Sequence, residues 1–452
     1  MTTLAGKVLR NLTFRRGIHP AARKELSQSE PIEAVGVAAG SLVVVPLAQH
    51  IGAPCQATVQ PREAVQAGQE IGTCDAFVSA PVHSPINGTV KEISPQPCAG
   101  PGKVLSVVIT ASDEPGEGQA WRELPGGFSG ADHASEAIVE AIRRAGIVGQ
   151  GGAAFPAAVK LTANAAKPVD TVLLNGCECE PYLTSDHRLM VEAPGPMVAG
   201  LQLAMRAAGA ERGIIAIEDN KGEAIESVLA AIADVPELQL AVCQTKYPQG
   251  GERQLIQAVV NRVVPTGGLP LDVGVVVVNA GTASAIAWAC VEGRPVTERI
   301  VCVTGGGIER PGNFRVPVGM LVKDLVERCG GLRDEAQQVV LGGPMMGPTV
   351  SRLDVPIVKG TSGVLVMSRG EVAQREEMAC IRCGRCVDNC PVRLVPTRIA
   401  HAAKARDIAM ALENDLMACI ECGCCTYVCP SKIPLVQYMR AGKQLARQAK
   451  RT

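Results

Sequence analysis

Two stretches, "CIRCGRCVDNCP" (residues 380–391) and "CIECGCCTYVCP" (residues 419–430), carry one pattern. Each spaces its sulfurs Cys-x-x-Cys-x-x-Cys-x-x-x-Cys and places a proline after the last. A loop this tight wraps three thiolates around one iron–sulfur cluster. The pyrrolidine nitrogens of Pro391 and Pro430 have no hydrogen to donate and suit the start of a helix. Zinc is the competing reading, since its sites use four ligands and often two Cys-x-x-Cys pairs. Two complete four-cysteine runs, each ending in Cys-Pro, favour clusters.

In two-cluster ferredoxins the cysteine before proline ligates the other cluster. Cys380, Cys383, Cys386 and Cys429 are therefore assigned to one [4Fe–4S] cluster, and Cys419, Cys422, Cys425 and Cys390 to the second. Cys424 falls outside the spacing. Equivalent cysteines lie 39 positions apart, and the spacer "VPTRIAHAAKARDIAMALEND" has a helical pattern. A helical two-cluster ferredoxin domain is expected over 372–440, followed by a basic tail, 441–452.

A chain of 452 residues is long enough for about three or four domains. Lys plus Arg and Asp plus Glu each number 44, so no bulk charge points to nucleic acid. With 47% hydrophobic residues and 48 glycines, a well-cored, turn-rich chain is expected. The start "MTTLAGKVLRNLTFRRGIHP" lacks an apolar h-region and cleavage site, so no secretory leader is expected. Eighteen cysteines in a long, unprocessed chain suit a reducing compartment better than a disulfide scaffold. The uncharged stretch Val273 to Val291 has the length of a membrane span. Asn279, Gly281, Thr282 and Ser284 interrupt it, and a buried strand, a loop and a short helix are expected instead.

Ahead of the cysteine runs the chain reads as multidomain α/β. Residues 42–110 are short strands between Gly and Pro, and "VQPREAVQAGQEIG" and "VSAPVHSPINGTVKEI" resemble the halves of a biotinyl/lipoyl-like barrel-sandwich domain. That domain, with an N-terminal extension, is expected over 1–115. No lysine lies between Lys24 and Lys91 to carry a prosthetic group, so it serves as a docking surface, and His83 is a packing or turn residue. From 130 to 293 apolar strands alternate with helices, which predicts a largely parallel sheet. Residues 294–368 resemble the SLBB β-grasp fold.

"GQGGAA" from Gly149 has the glycine spacing of a dinucleotide fingerprint but follows the helical pattern "ASEAIVEAIRRAG" rather than a strand, so it is no Rossmann turn. Pro156 can open a helix beyond it, a setting that favours phosphate, and Lys160 adds a positive charge.

"GQGGAAFPAAVK", "NGCECEP", "YPQGGE" and "VVNAGTA" resemble the flavin-site motifs of the flavoprotein subunit of respiratory complex I. The whole order resembles the RnfC component of Rnf electron-transport complexes. That resemblance implies non-covalent FMN, with NADH as substrate. Gly149, Gly151, Gly152 and Lys160 would surround the phosphate and ribityl chain. Asn175 and Glu178 would face the ring system, and Glu252, Asn279 and Thr282 would close the pocket. Phe155 and Glu180 would contact the nicotinamide nucleotide, with Glu180 as catalytic residue. The chain departs from the complex I pattern at Gln150, where an arginine stands, and at Cys177, which replaces a carboxylate; Cys177 and Cys179 are expected to be buried structural thiols.

The resemblance further implies an NADH-facing oxidoreductase subunit that exchanges electrons with ferredoxin or flavodoxin through membrane-embedded and peripheral partner subunits, which couple the flow to ion translocation. A soluble flavin–cluster dehydrogenase and a non-catalytic wiring protein are the alternatives. The implied place is peripheral, on the cytoplasmic face of the bacterial inner membrane, with no transmembrane helix. Basic ends are expected to assist attachment: Lys7, Arg10, Arg15, Arg16, Arg23 and Lys24 precede the first acid, and Lys432, Arg440, Lys443, Arg447, Lys450 and Arg451 follow the second run.

Overall fold

Four consecutive valines, Val275 to Val278, are buried in the strand Val275–Asn279, as a β-branched run covered on both faces should be. This strand ends a five-stranded parallel sheet whose order is Val8–Leu12, Leu238–Cys243, Arg212–Glu218, Thr171–Asn175, Val275–Asn279. The computed structural model describes residues 7–100, 102–114, 116, 120–125, 133–372 and 376–449. The helix expected after the valines begins at once, because Asn279 is its N-cap and leaves no separate loop: its Oδ1 accepts from the amides of Gly281 at 2.9 Å and Thr282 at 3.4 Å. Among the described residues, no helix is long and apolar enough to cross a membrane.

The helix Pro194–Ala208 covers one sheet face together with Ala280–Glu292, and they approach so closely that a Cβ on Gly200 would overlap the Ala283 backbone. Thr171–Asn175 lies between Arg212–Glu218 and Val275–Asn279. From it the chain steps outward through Arg212–Glu218 and Leu238–Cys243, then returns to place Val275–Asn279 on its other side, so the strand order reverses there. In open parallel sheets such a switch point forms a crevice beyond the carboxyl ends of its two strands, and ligands bind there. Asn175 and Asn279 are register partners at those ends.

The barrel-sandwich consists of a four-stranded sheet, including Leu42–Pro46, Gly88–Pro97 and Lys103–Ala111, and a three-stranded one, including Glu70–Thr73 and Val82–His83. His83 is a packed residue, its pKa pushed down to about 3 by burial and by the neighbouring Lys359 ammonium. A six-stranded mixed sheet built on Glu298–Thr304, Gly312–Pro317, Ala336–Leu341 and Gly363–Ser368, with the helix Val322–Arg328, forms the β-grasp.

The N-terminal extension is shared out among other sheets. Val8–Leu12 edges the parallel sheet, and Ile32–Ala34 pairs with Gly312–Pro317 in the β-grasp. Short-range pattern could not assign either strand, because their partners lie more than 200 residues away.

Residues 376–449 contain helices and no strand, in keeping with the helical ferredoxin expected. The spacer folds as Pro396–Lys404 and Ile408–Glu413. The repeat is visible in the backbone: Arg382, Gly384 and Arg393 take positive φ, and so do Glu421, Gly423 and Lys432, each 39 positions on. The expected tail from 441 is corrected as far as the described chain extends. Residues 435–449 form one helix, Leu435–Ala449, with Met439, Gly442, Lys443 and Ala446 buried.

Candidate flavin and cluster site

The loop 147–156 folds back on itself through Gly149 N–H to Phe155 O at 2.8 Å and Ala154 N–H to Gly149 O at 3.2 Å. The amides of Gly151, Gly152 and Ala153, all exposed, make no hydrogen bond to the described chain. Gly152 has φ +110°, and a Cβ there would meet nothing within 4 Å, so the turn requires glycine for its backbone and leaves open space above it. Successive free amides at such a turn suit a phosphate. The loop is tied to the sheet end by Gln150 N–H to Thr282 Oγ1 at 2.9 Å, and Gly151 lies against Asn279. Phe155 is half-buried at its end. The expected helix after Pro156 is only Ala157–Leu161, so the loop amides, rather than a helix dipole, supply the donors.

Lys160 reaches the same crevice but is already engaged. Its Nζ donates to Glu252 Oε1 at 2.6 Å and Val277 O at 2.8 Å. Asn175 Nδ2 donates to Gly250 O at 2.8 Å, which holds the "YPQGGE" turn against the strand end. The structure thus brings Gly149, Gly151, Gly152, Lys160, Asn175, Glu252, Asn279 and Thr282 together.

Glu178 and Glu180 are placed differently from the rest. Glu178 has φ +46° and spends its carboxylate on the start of the helix Ser185–Glu192, accepting from Asp186 N at 2.7 Å, His187 N at 3.2 Å and Ser185 Oγ at 3.2 Å. Glu180 accepts from Met345 N at 3.0 Å and lies 3.4 Å from Tyr247 Oη. Its carboxyl therefore stands at the junction with the β-grasp, and burial pushes its pKa up to about 7. Lys24, buried, donates to the carbonyls of Glu178, Glu180 and Leu183 and fixes this whole turn from below. Cys177 is fully buried, as expected of a structural thiol, and Cys179 is partly so.

The residue that sequence reasoning missed is Arg299. From the β-grasp strand it donates to Gln150 Oε1 and, at 3.2 Å, to Gln150 O. Gln150 stands where the complex I pattern has arginine, so here a cation comes from another domain and braces the loop from behind. Only the departure at Gln150 signalled it. Asp186, which accepts from Asn279 Nδ2 at 2.7 Å, was also unseen; burial and the Glu178 charge push its carboxyl up to about 7.

The second cysteine run packs directly on this assembly. Tyr247 Oη donates to Cys422 O at 2.9 Å, and Cys422 and Cys424 share an apolar cluster with Tyr247, Ile18, Cys179 and Met345. Cys390 lines one cavity with Cys419, Cys422, Cys424 and Cys425. Four of these five are the cysteines grouped by the crossed pattern, so a donor set for a cluster is present there. Cys386 and Cys429 are buried in the same apolar core, with Cys380 against it, while Cys383 is exposed.

The basic ends are corrected in part. Lys7 is buried and donates to the carbonyls of Ile232, Ala233 and Val235; Lys443 donates to Cys419 O at 2.6 Å and pairs with Glu421 at 2.8 Å. With Lys24, they are internal braces and cannot meet a membrane. Arg10, Arg15, Arg16 and Arg23 are exposed, whereas Lys450 and Arg451 lie outside the described residues.

An open crevice for a phosphorylated cofactor, in contact with a cysteine-lined ferredoxin fold, places this chain among flavin- and cluster-dependent electron carriers. Family models agree segment by segment: an RnfC barrel sandwich hybrid domain matches residues 12–114, a Nuo51 FMN-binding domain 142–288, an SLBB domain 300–349 and a 4Fe-4S dicluster domain 379–433. The C component of the Na(+)-translocating ferredoxin:NAD(+) oxidoreductase complex of Acetobacterium woodii is 42% identical over 388 residues, 86% of each chain. Its counterpart in the proton-translocating ferredoxin:NAD(+) oxidoreductase complex of Clostridium ljungdahlii is 42% identical over 394 residues, 86% of this chain and 84% of that one. The C component of an ion-translocating oxidoreductase complex of Salmonella paratyphi C is 41% identical over 95% of this chain, which spans 60% of its length. The chain belongs to the RnfC family. In fold alone it is similar to the NAD+-reducing [NiFe]-hydrogenase in its air-oxidized state, with TM-score 0.50 and 22% identity over 71% of this chain and 69% of that one.

Proposed function

We infer that the chain is the NADH-linked electron-transfer subunit of an ion-translocating ferredoxin:NAD oxidoreductase complex. It passes electrons between NADH and ferredoxin or flavodoxin, and membrane-embedded partner subunits couple that flow to ion movement. When bound, FMN takes a hydride's electron pair and releases it singly, as [4Fe–4S] clusters require. The observation that carries this reading is the short segment from Tyr247 to Glu252, which touches Cys422 at one end and Lys160 at the other.

Within this reading the amides of Gly151, Gly152 and Ala153 bind the phosphate, with Lys160 adding charge. Asn175 and Asn279 form the crevice floor, Thr282 and Arg299 hold the loop, and Phe155 offers a ring to the nicotinamide nucleotide. Glu178 orients the turn through its helix cap. Glu180 holds a proton near neutral pH beside the second cysteine run. The exposed Cys383, with Met378 and Ile381 exposed near it in sequence, makes the first run the exit toward partner subunits. Attachment is peripheral, on the cytoplasmic face, and rests on folded surfaces more than on the chain ends.

Anaerobically purified protein should contain iron, sulfide and extractable FMN together, and NADH should bleach the flavin absorbance. Bound FMN that NADH leaves unbleached would overturn the NADH-linked role.

A further inference from the structure

Behind the glycine-rich loop, at the seam between the helix Ala280–Glu292 and the β-grasp, lies a second cavity of about 120 Å³. Gln150 and Gly281 belong to its wall, so it backs directly onto the flavin crevice. One side is apolar, formed by Leu189, Ala285, Trp288 and Val296. The other carries three arginines, Arg294, Arg299 and Arg315, against two carboxylates, Asp186 and Glu298, with Glu292 pairing Arg294 from just outside the lining.

The charges are held in place. Arg315 donates to Glu298 at 2.8 Å, Arg299 to Thr361 O at 3.2 Å, and the Arg294 guanidinium stacks 4.0 Å over the Trp288 ring. Trp288 is buried, yet its Nε1 has no hydrogen-bond partner. An unpaired buried donor is costly, and a ligand that brings an acceptor relieves it. Apolar cavities of roughly 150 Å³ hold benzene. We propose that this cavity binds a small planar carboxylate, its apolar body against Trp288 and Leu189 and its charge toward the arginines.

The chain has two tryptophans, Trp121 and Trp288, and both line the cavity, so intrinsic fluorescence of the full-length, flavin-loaded protein reports on it. Titration with benzoate should change the emission saturably. Benzyl alcohol, which keeps the ring and drops the charge, should bind at least about tenfold more weakly, a difference of ~1.4 kcal/mol. Ala285→Phe fills the cavity and should abolish the response. Arg294→Met keeps cover over Trp288 and removes one charge, so it should weaken benzoate while leaving benzyl alcohol unchanged; this variant decides the matter if Ala285→Phe fails to fold. A non-saturating response, equal affinity for the alcohol, or an undiminished benzoate response in both variants would overturn the proposal.

Discussion

The hydroxyl of Tyr247 donates to the carbonyl oxygen of Cys422 at 2.9 Å, across 175 residues of chain. Its neighbour on the other side is Glu180, 3.4 Å away. One side chain therefore joins the turn below the flavin crevice to the loop around the second cluster. Tyr247→Phe should lower thermal stability by about 1–3 kcal/mol, since the buried carbonyl loses its donor. FMN and iron contents should stay the same, while the EPR signal of the cluster held by Cys419, Cys422 and Cys425 shifts. An unaltered spectrum and melting curve would mean the contact is incidental.

Lys160 and Glu252 should act in opposite directions on flavin. Lys160→Ala removes a cation beside the phosphate and should weaken FMN at least tenfold, in line with the ~1.5–3 kcal/mol of a charged hydrogen bond. Glu252→Gln frees the ammonium from its 2.6 Å partner and should tighten FMN. Fluorescence titration of flavin-stripped protein measures both, and weakening by the glutamine variant would place the phosphate elsewhere.

Replacing Cys390 by Ala should damage the cluster of the other run. Its sulfur shares a cavity with Cys419, Cys422 and Cys425, although it belongs in sequence to the first motif. Iron should fall from about eight to about four per chain, with the remaining EPR signal that of the cluster held by Cys380, Cys383 and Cys386. Loss of that signal instead would reject crossed ligation.

Asp186 gives a pH dependence with a defined sign. Its folded pKa, about 7, lies above the ordinary 3.8, so the folded state holds its proton more tightly. The stability this contributes is complete below pH 3.8 and is lost as pH rises through about 7. Asp186→Asn does not titrate. Relative to the parent chain it should gain on the order of 2 kcal/mol between pH 5 and pH 8. Urea unfolding at the two pH values tests this, and a gain that is the same at both would show that the carboxyl is not held protonated.

Much of the site was legible because its signals are local. Cysteine spacing, the glycine-rich turn around Gly152 and the valine run before Asn279 each act within a few residues. The partners of Glu180 were not legible because motif proximity fixes only its backbone, whereas Met345 and Tyr247, far off in sequence, decide where its carboxylate goes. Arg299 was invisible for the same reason: nothing around Gln150 reveals which distant strand will stand behind it. The basic ends read as attachment surfaces because charge patterning cannot distinguish an exposed lysine from Lys7, held by three carbonyls, or Lys443, held by Cys419 O and Glu421.

The pairing of Val8–Leu12 with Leu238–Cys243 also sets a timetable for synthesis. At about 5–20 residues per second, the first strand leaves the ribosome roughly 10–45 s before its partner exists. The barrel-sandwich strands, from Leu42 to Ala111, need no such wait. The nascent chain thus carries a finished domain behind a loose leading strand, and an unpaired strand is a template for wrong partners. A ribosome halted well beyond Ala111 but short of Leu238 should hold a protease-resistant core that begins near Leu42, with residues 8–34 cut away, and protection should extend to the first strand only once Leu238–Cys243 has emerged.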